Sequence, residues 1–582
     1  MTAYSNMKKK IGLGLMNFSE LRESNSYYVD KTAFIKEIMN ENIKSFLFTR
    51  PRRFGKTLTQ SMLHDFLCMN YENDPAFEEK QSALFCDLEI SKDVEFCKRH
   101  MGQHPVIFIS LKGVEQPSYE GMRTELARLV RTLFSSFLFL KQKDLDRYYI
   151  NSFDRYLNTG LEGSEELTDN LITSSLEFLC AILKKVYGRK IIVLIDEYDV
   201  PVNKAHSRGF YEQILPLVRG MLYKIVKDDQ ALVEKCVITG CNRISRESIF
   251  TGMNNALVYS ISDRMYSDVF GFTQAEVDAL LEYYALTLKK AIVKNWYDGY
   301  SFGGTGIYNP WDVTNYCYDL INDPTAKPVN YWANTSSNEI IREFMDHADP
   351  NSLEKMQSLL NGESVKIRID EQLVYPDLEK EHSSVQLFSI LYSSGYLTAV
   401  YVNNGEYELK IPNLEIMDLF KELVTDFYRS SDTLYHACAA ELPKLMAEGF
   451  SGPVEDRLNL LLSRFISVRN TGFEIAYHLF FVGVLSQVLG ANSKLRSEPE
   501  AGDGFADVTF MINKSIGIIL EFKKARGDTE LESLALSALK QADEKNYRRV
   551  FADYPVAKII TYGIACHGKK AVVKAAVETL QR

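Results

Sequence analysis

Ten residues set most of what this chain can fold into: Lys190-Ile-Ile-Val-Leu-Ile-Asp-Glu-Tyr-Asp199. The apolar run is unbroken, so it suits a strand covered on both faces, as in a parallel sheet flanked by helices. In such sheets ligands bind beyond the carboxyl ends of the strands, which is where Asp196 and Glu197 fall. A second segment supplies a partner. Lys44 to Phe48 is short, apolar and β-prone, Thr49-Arg50-Pro51-Arg52-Arg53-Phe54-Gly55-Lys56-Thr57 follows, and a helical pattern runs from Leu58 to Leu67. Strand, loop and helix are the setting of a phosphate loop. There backbone N–H groups and the helix N-terminus hold phosphate oxygens, a lysine reaches the terminal phosphates, and the next hydroxyl ligates Mg²⁺.

Arg53, Phe54, Gly55, Lys56, Thr57 and Leu58 are therefore the expected contacts for ATP, with Thr57 and Asp196 as Mg²⁺ ligands and Glu197 polarising the attacking water. One position departs from the motif: Arg50 stands where G-x-x-x-x-G-K-[ST] has its first glycine. The bland alternative is a solvated basic turn, but an acidic strand end at domain-scale separation favours a nucleotide site. Two further apolar runs, Pro105 to Leu111 and Lys235 to Gly240, fit the same α/β sheet. The second leads into Asn242 and Arg243, the expected phosphate sensors.

At 582 residues the chain exceeds one hydrophobic core. The nine cysteines form no C-x-x-C pair and read as reduced thiols. No segment reaches the roughly 18 apolar residues of a membrane span, so no membrane partner is expected and the cytoplasm is the simplest location. A net charge of −10 disfavours coating nucleic acid by bulk electrostatics. The acidic excess precedes residue 441, since residues 441–582 hold 19 Lys+Arg against 17 Asp+Glu.

That C-terminal part carries a second constellation. Phe505 to Ile512 and Ile516 to Lys523 read as a β-hairpin around Asn513-Lys514-Ser515. With the turn centred on Lys514, Asp507 and Glu521 face each other, and the two-residue strand period puts Lys523 beside Glu521. Two acids and a lysine suit a divalent-metal phosphodiesterase using Mg²⁺ or Mn²⁺. Upstream, Glu474 is the one acid on an apolar helix from Phe473 to Leu489 and a third candidate metal ligand. Downstream, the amphipathic stretch Leu534 to Tyr547 offers Gln541 and Lys545 as support or phosphate contacts. Ordinary ion pairs and caps account for each of these singly.

Together these residues resemble a bacterial family of AAA-ATPase-like proteins that join a degenerate phosphate loop, Arg-Pro-Arg-Arg-Phe-Gly-Lys-Thr, to a C-terminal PD-(D/E)XK nuclease domain. The resemblance extends over Leu194 to Asp199, Arg243 to Phe250, Trp296 to Tyr300, Tyr308-Asn309-Pro310-Trp311 and Tyr331 to Asn334. It implies a multidomain α/β protein: a P-loop parallel-sheet domain of the additional-strand type over residues 1–262, a helical lid or winged-helix-like region over 263–448, and a nuclease-like domain over 449–582. It also puts Asp507, Glu521 and Lys523 on the nuclease core, with Glu474 and Gln541 flanking. The family often carries Gly-Arg shortly before that aspartate, whereas here Phe505 follows Gly504. Additional-strand ATPases assemble so that an arginine of one subunit reaches another's nucleotide, which makes a homo-oligomer a further expectation, with Arg243 and Arg246 as candidates.

The leading function is ATP-dependent cleavage of nucleic acid, DNA before RNA, with defence or mobile-element biology following by analogy only. The competing class is a nucleotide-driven switch whose C-terminal fold binds nucleic acid or protein without cutting. An ATPase that remodels proteins is third.

Overall fold

The computed structural model describes residues 8–158, 169–228, 231–241, 256–332, 349–360, 362–370, 383–427, 433–465, 474–489, 493–497, 499–501 and 504–580. Two compact units divide the chain. The first comprises Met1–Thr335, Lys366–Glu381 and Phe388–Glu415, and the second Ser336–Val365, His382–Leu387 and Ile416–Arg582.

In the first unit, β1 (Ser45–Thr49), β2 (Val106–Ser110), β3 (Ile191–Asp196), β4 (Val233–Gly240) and β5 (Ala256–Tyr259) form one sheet in the order β2-β3-β4-β1-β5. All four neighbouring pairs are parallel. Every residue of β1 and β3 is buried, as an unbroken apolar run requires. Strand β4 lies between the phosphate-loop strand β1 and the acidic strand β3, so an additional strand separates them. One sheet face packs Ile107, Val193 and Ile238 against Leu126, Val130, Leu176 and Leu179. Each such side chain stabilises the fold by roughly 1.5–3 kcal/mol relative to exposure.

Beyond the sheet the unit continues in helices and two small sheets. Strands β6 (Phe272–Thr273), β7 (Tyr300–Phe302) and β8 (Thr305–Tyr308) are ordered β6-β8-β7; β9 (Val365–Arg368), β10 (Thr398–Asn403) and β11 (Glu406–Lys410) are ordered β10-β11-β9. Two helix starts follow from sequence. Thr273 and Glu276 form a reciprocal capping box on the helix Gln274–Tyr283. Asn309 caps the helix Pro310–Asn322 by accepting from the Trp311 N–H, with Pro310 at a position that needs no donor.

The second unit holds β12 (Arg496–Ser497), the short pair β13 (Glu500–Ala501) and β14 (Gly504–Phe505), and then β15 (Val508–Ile512), β16 (Ile516–Lys524), β17 (Lys558–His567) and β18 (Lys570–Thr579). The main sheet runs β12-β15-β16-β17-β18. Only β16 and β17 pair in parallel, and the helix Leu531–Glu544 lies in the crossover between them. Asn513 and Lys514 have φ of 50° and 57°, the left-handed pair of a tight hairpin turn.

Gly563 on β17 lets the crossover helix approach. A Cβ there would lie 2.2 Å from the Ala535 carbonyl oxygen and 2.8 Å from the Leu539 nitrogen, both helix backbone. Gly563→Ala should therefore cost about 1–3 kcal/mol, read as a lower urea midpoint of the second unit.

Candidate functional site

The phosphate loop leaves β1 at Arg50 and enters the helix Lys56–Leu67, whose N-cap Gly55 has φ 85°. Lys56 is buried, and its ammonium donates to the Arg50 and Pro51 carbonyls (2.8 and 2.7 Å) and to the Cys241 sulfur (3.4 Å). Thr57 donates its hydroxyl to Asp196 Oδ2 at 2.7 Å, and Thr239 donates to Oδ1 at 2.7 Å. Thus the hydroxyl of the loop and the carboxylate of β3 meet directly. Half-buried Leu58 follows in the same turn.

Glu197 adopts φ 51°, which turns the chain sharply after β3. Burial, and then the neighbouring Asp196 charge, push its carboxyl above the usual range. Asp199, given no role in the sequence reading, accepts from the Cys241 N–H and from Asn203 Nδ2, and so pins the end of β4. Asn242 and Arg243, like Arg246, lie outside the described residues.

Arg50 resolves the missing glycine. Its side chain is fully buried, away from the loop mouth, and donates to the Thr49, Tyr259 and Tyr266 carbonyls at 3.0, 2.9 and 3.1 Å. The Phe270 and Phe302 rings lie 5.5 and 5.3 Å from the guanidinium carbon. Other loop side chains are gripped from the same direction. Phe54 packs on Tyr300 and Phe302, and its carbonyl accepts from the Gly271 N–H at 3.0 Å. Arg53 stacks 3.9 Å over Trp311. No spacing in the sequence announces these contacts, because the partners stand more than 200 residues downstream.

In the second unit, the register Val508↔Leu520 continues to put Asp507 opposite Glu521. The Phe522 N–H donates to Asp507 Oδ2 at 2.6 Å. Lys523 Nζ is 3.5 Å from Glu521 Oε1, and the same oxygen accepts from Gln541 Nε2, whose helix covers this face. Gln541 also donates to the Tyr547 hydroxyl at 3.2 Å. Glu521 is 2% exposed and its Oε2 has no hydrogen-bond partner. Burial first, and then Asp507, push its carboxyl up to about 8. Lys545 is exposed and runs beside Gly504: a Cβ at Gly504 would lie 3.6 Å from Lys545 Cδ.

Glu474 begins the helix Glu474–Val488, and its side chain lies outside the described part. That helix packs through His478 and Phe481 on Phe522, the strand face opposite Glu521 and Lys523. Among the described residues no three His, Cys, Asp or Glu side chains group as metal ligands. No described helix is long and apolar enough to cross a membrane.

A parallel sheet whose phosphate loop meets an acidic strand end, and a hairpin that joins two acids and a lysine, define a P-loop ATPase-like unit followed by a nuclease-like one. Residues 12–250 match the family of predicted AAA-ATPases, and residues 472–576 match the PD-(D/E)XK nuclease superfamily. Residues 12–250 thus form an AAA-ATPase-like domain and residues 472–576 a PD-(D/E)XK nuclease superfamily domain. The chain is similar to an uncharacterized protein in the vnfD 5′ region of Azotobacter chroococcum mcd 1, 24% identical over 556 residues that cover 93% of each chain. The solved ORC2 protein of Aeropyrum pernix, in ADPNP–ADP complexes, aligns at 11% identity over 68% of this chain and 93% of its own, with a TM-score of 0.25, too low to bear on the fold.

Both domain matches imply nucleotide and divalent-metal use in general terms, and the donor sets fit it. Thr57 and Asp196 offer a hydroxyl and a carboxylate in contact, and the partnerless Glu521 oxygen belongs to a carboxyl that stands opposite Asp507 and feels its charge. The raised Glu521 carboxyl has a consequence for stability. Its folded-state value exceeds its ordinary 4.5, so its contribution is complete below about 4.5 and is lost as pH rises towards 8. In EDTA, melting temperature should fall across that window, and Glu521→Gln should flatten the slope.

Proposed function

We propose that this protein binds and hydrolyses ATP, and that its nucleotide state gates metal-dependent phosphodiester cleavage of nucleic acid, DNA in the first instance. Residues 1–262 would serve as the ATPase part, 263–448 as the lid and 449–582 as the nuclease. The observation that carries the reading is the buried Glu521, opposite Asp507 and 3.5 Å from Lys523, with one carboxyl oxygen lacking a partner. A buried carboxyl oxygen without a hydrogen-bond partner is costly and persists where a function retains it.

Thr57 and Asp196 would hold Mg²⁺ at the nucleotide, and Asp507 and Glu521 would hold Mg²⁺ or Mn²⁺ at the scissile phosphate. Such an ion polarises a phosphoryl oxygen and lowers the pKa of bound water. Lys56 exchanges the Arg50 and Pro51 carbonyls for phosphate oxygens. Glu197 accepts a hydrogen bond from the attacking water and orients it. Lys523 donates to the developing phosphorane charge, and Gln541 fixes the Glu521 rotamer. Lys545 suits a contact to a neighbouring phosphate.

A second reading, binding without cleavage, is favoured by one feature. Phe505 is 66% exposed two residues before Asp507, where a cation would meet phosphate.

The test incubates purified protein with supercoiled, linear and single-stranded DNA in Mg²⁺ or Mn²⁺, with and without ATP. Cleavage is expected in wild type, lost in Glu521→Ala and uncoupled from ATP in Lys56→Ala. Gln541→Ala should lower it by about 10–100-fold, the usual effect of removing a group that orients a metal ligand. Absence of cleavage with every substrate and metal, while ATP turns over, would establish the non-cutting switch.

Phe505→Arg should tighten DNA binding and steepen its salt dependence by about one counterion in log–log slope, measured by fluorescence anisotropy between 50 and 200 mM salt. An unchanged slope would place DNA away from this strand.

A further inference from the structure

Through Arg53 and Trp311 the phosphate loop stacks on a helix start that carries one of two electrostatically coupled buried acids, which the nucleotide chemistry does not use. Arg53, with φ 69°, stacks on Trp311, and its Nη1 is buried without a hydrogen-bond partner. Asp312 follows Trp311 in the first turn of the helix Pro310–Asn322, is fully buried, and has neither carboxyl oxygen hydrogen-bonded to a conventional donor. Glu415, also fully buried, stands in the first turn of the helix Leu414–Phe427. Its Oε1 accepts from the Tyr331 and Trp332 N–H groups at 2.7 and 3.0 Å, while Oε2 has no partner.

Charge counting sets the protonation. Two carboxylates and one guanidinium would leave a net negative charge in a buried site, and an uncompensated buried charge is expensive. One proton held between the acids makes the group neutral, and it belongs to the pair and not to either residue. Burial raises both carboxyls, Glu415 to about 7 against the lowering effect of its hydrogen-bonding neighbours and Arg53, and Asp312 well above the ordinary range with the Glu415 charge adding to burial. Arg53 is the cation both acids feel. Arg52 faces Arg53, and Tyr297, Tyr300 and Tyr331 face the pair as phenols kept neutral by burial.

We propose that Asp312 and Glu415 are positioning residues for the nucleotide site: with Trp311 they clamp Arg53, and through it they hold the phosphate loop in the shape that presents Lys56. The inference rests on the nucleotide-binding reading above. Its mechanical basis is covalent continuity, since Arg53 is separated from Lys56 only by Phe54 and Gly55. When both acids ionise, their repulsion separates the two helix starts that carry them and loosens the Trp311 stack.

The experiment measures binding of a fluorescent ATP analogue from pH 6 to 9, alongside the intrinsic tryptophan fluorescence and melting temperature of each protein. Wild-type affinity is expected to weaken above neutrality by up to about tenfold per pH unit, the limit for one linked proton, with a parallel fluorescence step absent from Trp311→Phe. Asp312→Asn, which imitates the protonated acid, should bind as wild type does at pH 6.5 and lose the alkaline decline. Asp312→Ala should bind about tenfold more weakly at every pH, a difference of about 1.4 kcal/mol, while its melting temperature reports whether it folds. Affinity flat in pH, or Asp312→Asn behaving as Asp312→Ala in a folded protein, overturns the clamp. If Lys56→Ala binds the analogue as wild type does, the nucleotide reading fails instead, and the Asp312-dependent fluorescence step decides separately whether the acid pair holds Arg53.

Discussion

The first unit depends on a guanidinium. Arg50 occupies the place of a glycine, and its buried side chain ties the end of β1 to the Tyr259 and Tyr266 carbonyls. Burial pulls its ionisation down to about 10, still well above neutrality, so the charge persists. Charge-assisted hydrogen bonds to carbonyls and the two aromatic faces offset the desolvation. In a glycine-rich loop, conformational freedom at the first turn permits the shape. Here a bonded side chain imposes it, and Pro51, Arg53 and Phe54 extend the same attachment.

That attachment places the loop between two masters. Its backbone faces the carboxyl ends of β1 and β3, where Thr57 and Asp196 meet, and its side chains face the residues after the sheet. Gly271 and Gly395 mark the closeness of the second set: a Cβ at Gly271 would lie 3.0 Å from Phe54 Cδ1, and one at Gly395 would lie 2.7 Å from Pro51 Cβ. Any ligand that moves the loop backbone must therefore displace or carry along packed side chains. Packed interiors resist such changes by degrees and favour discrete rearrangements.

Much of this was legible in the sequence because it is local. The unbroken run ending at Asp196, the Gly55-Lys56-Thr57 helix start, and the hairpin symmetry about Lys514 each depend on spacing within about 20 residues. The hairpin register was readable for the same reason, and so was the shared face of Glu521 and Lys523. Strand β5 was not read, since Ala256–Tyr259 is only four residues long and its polar flank gives no periodicity. Asn309 and Pro310 start a helix by local rules, but the role of Trp311 under Arg53 joins residues 258 positions apart. The buried acids Asp312 and Glu415 were silent too: each looks like a favourable acid in a first helical turn, and only tertiary structure brings them together.

Strand order has a consequence for how the chain is made. Strand β1 pairs only with β4 and β5, which follow it by some 190 residues or more. At ribosomal rates of about 5–20 residues per second, the phosphate-loop strand waits roughly 10–40 s on the nascent chain with both of its edges unpaired. Its apolar, β-prone sequence is then open to wrong pairing. The phosphate-loop strand is thus among the first synthesised and the last secured, so the loop beside it acquires its shape only after β4 and β5 have been made.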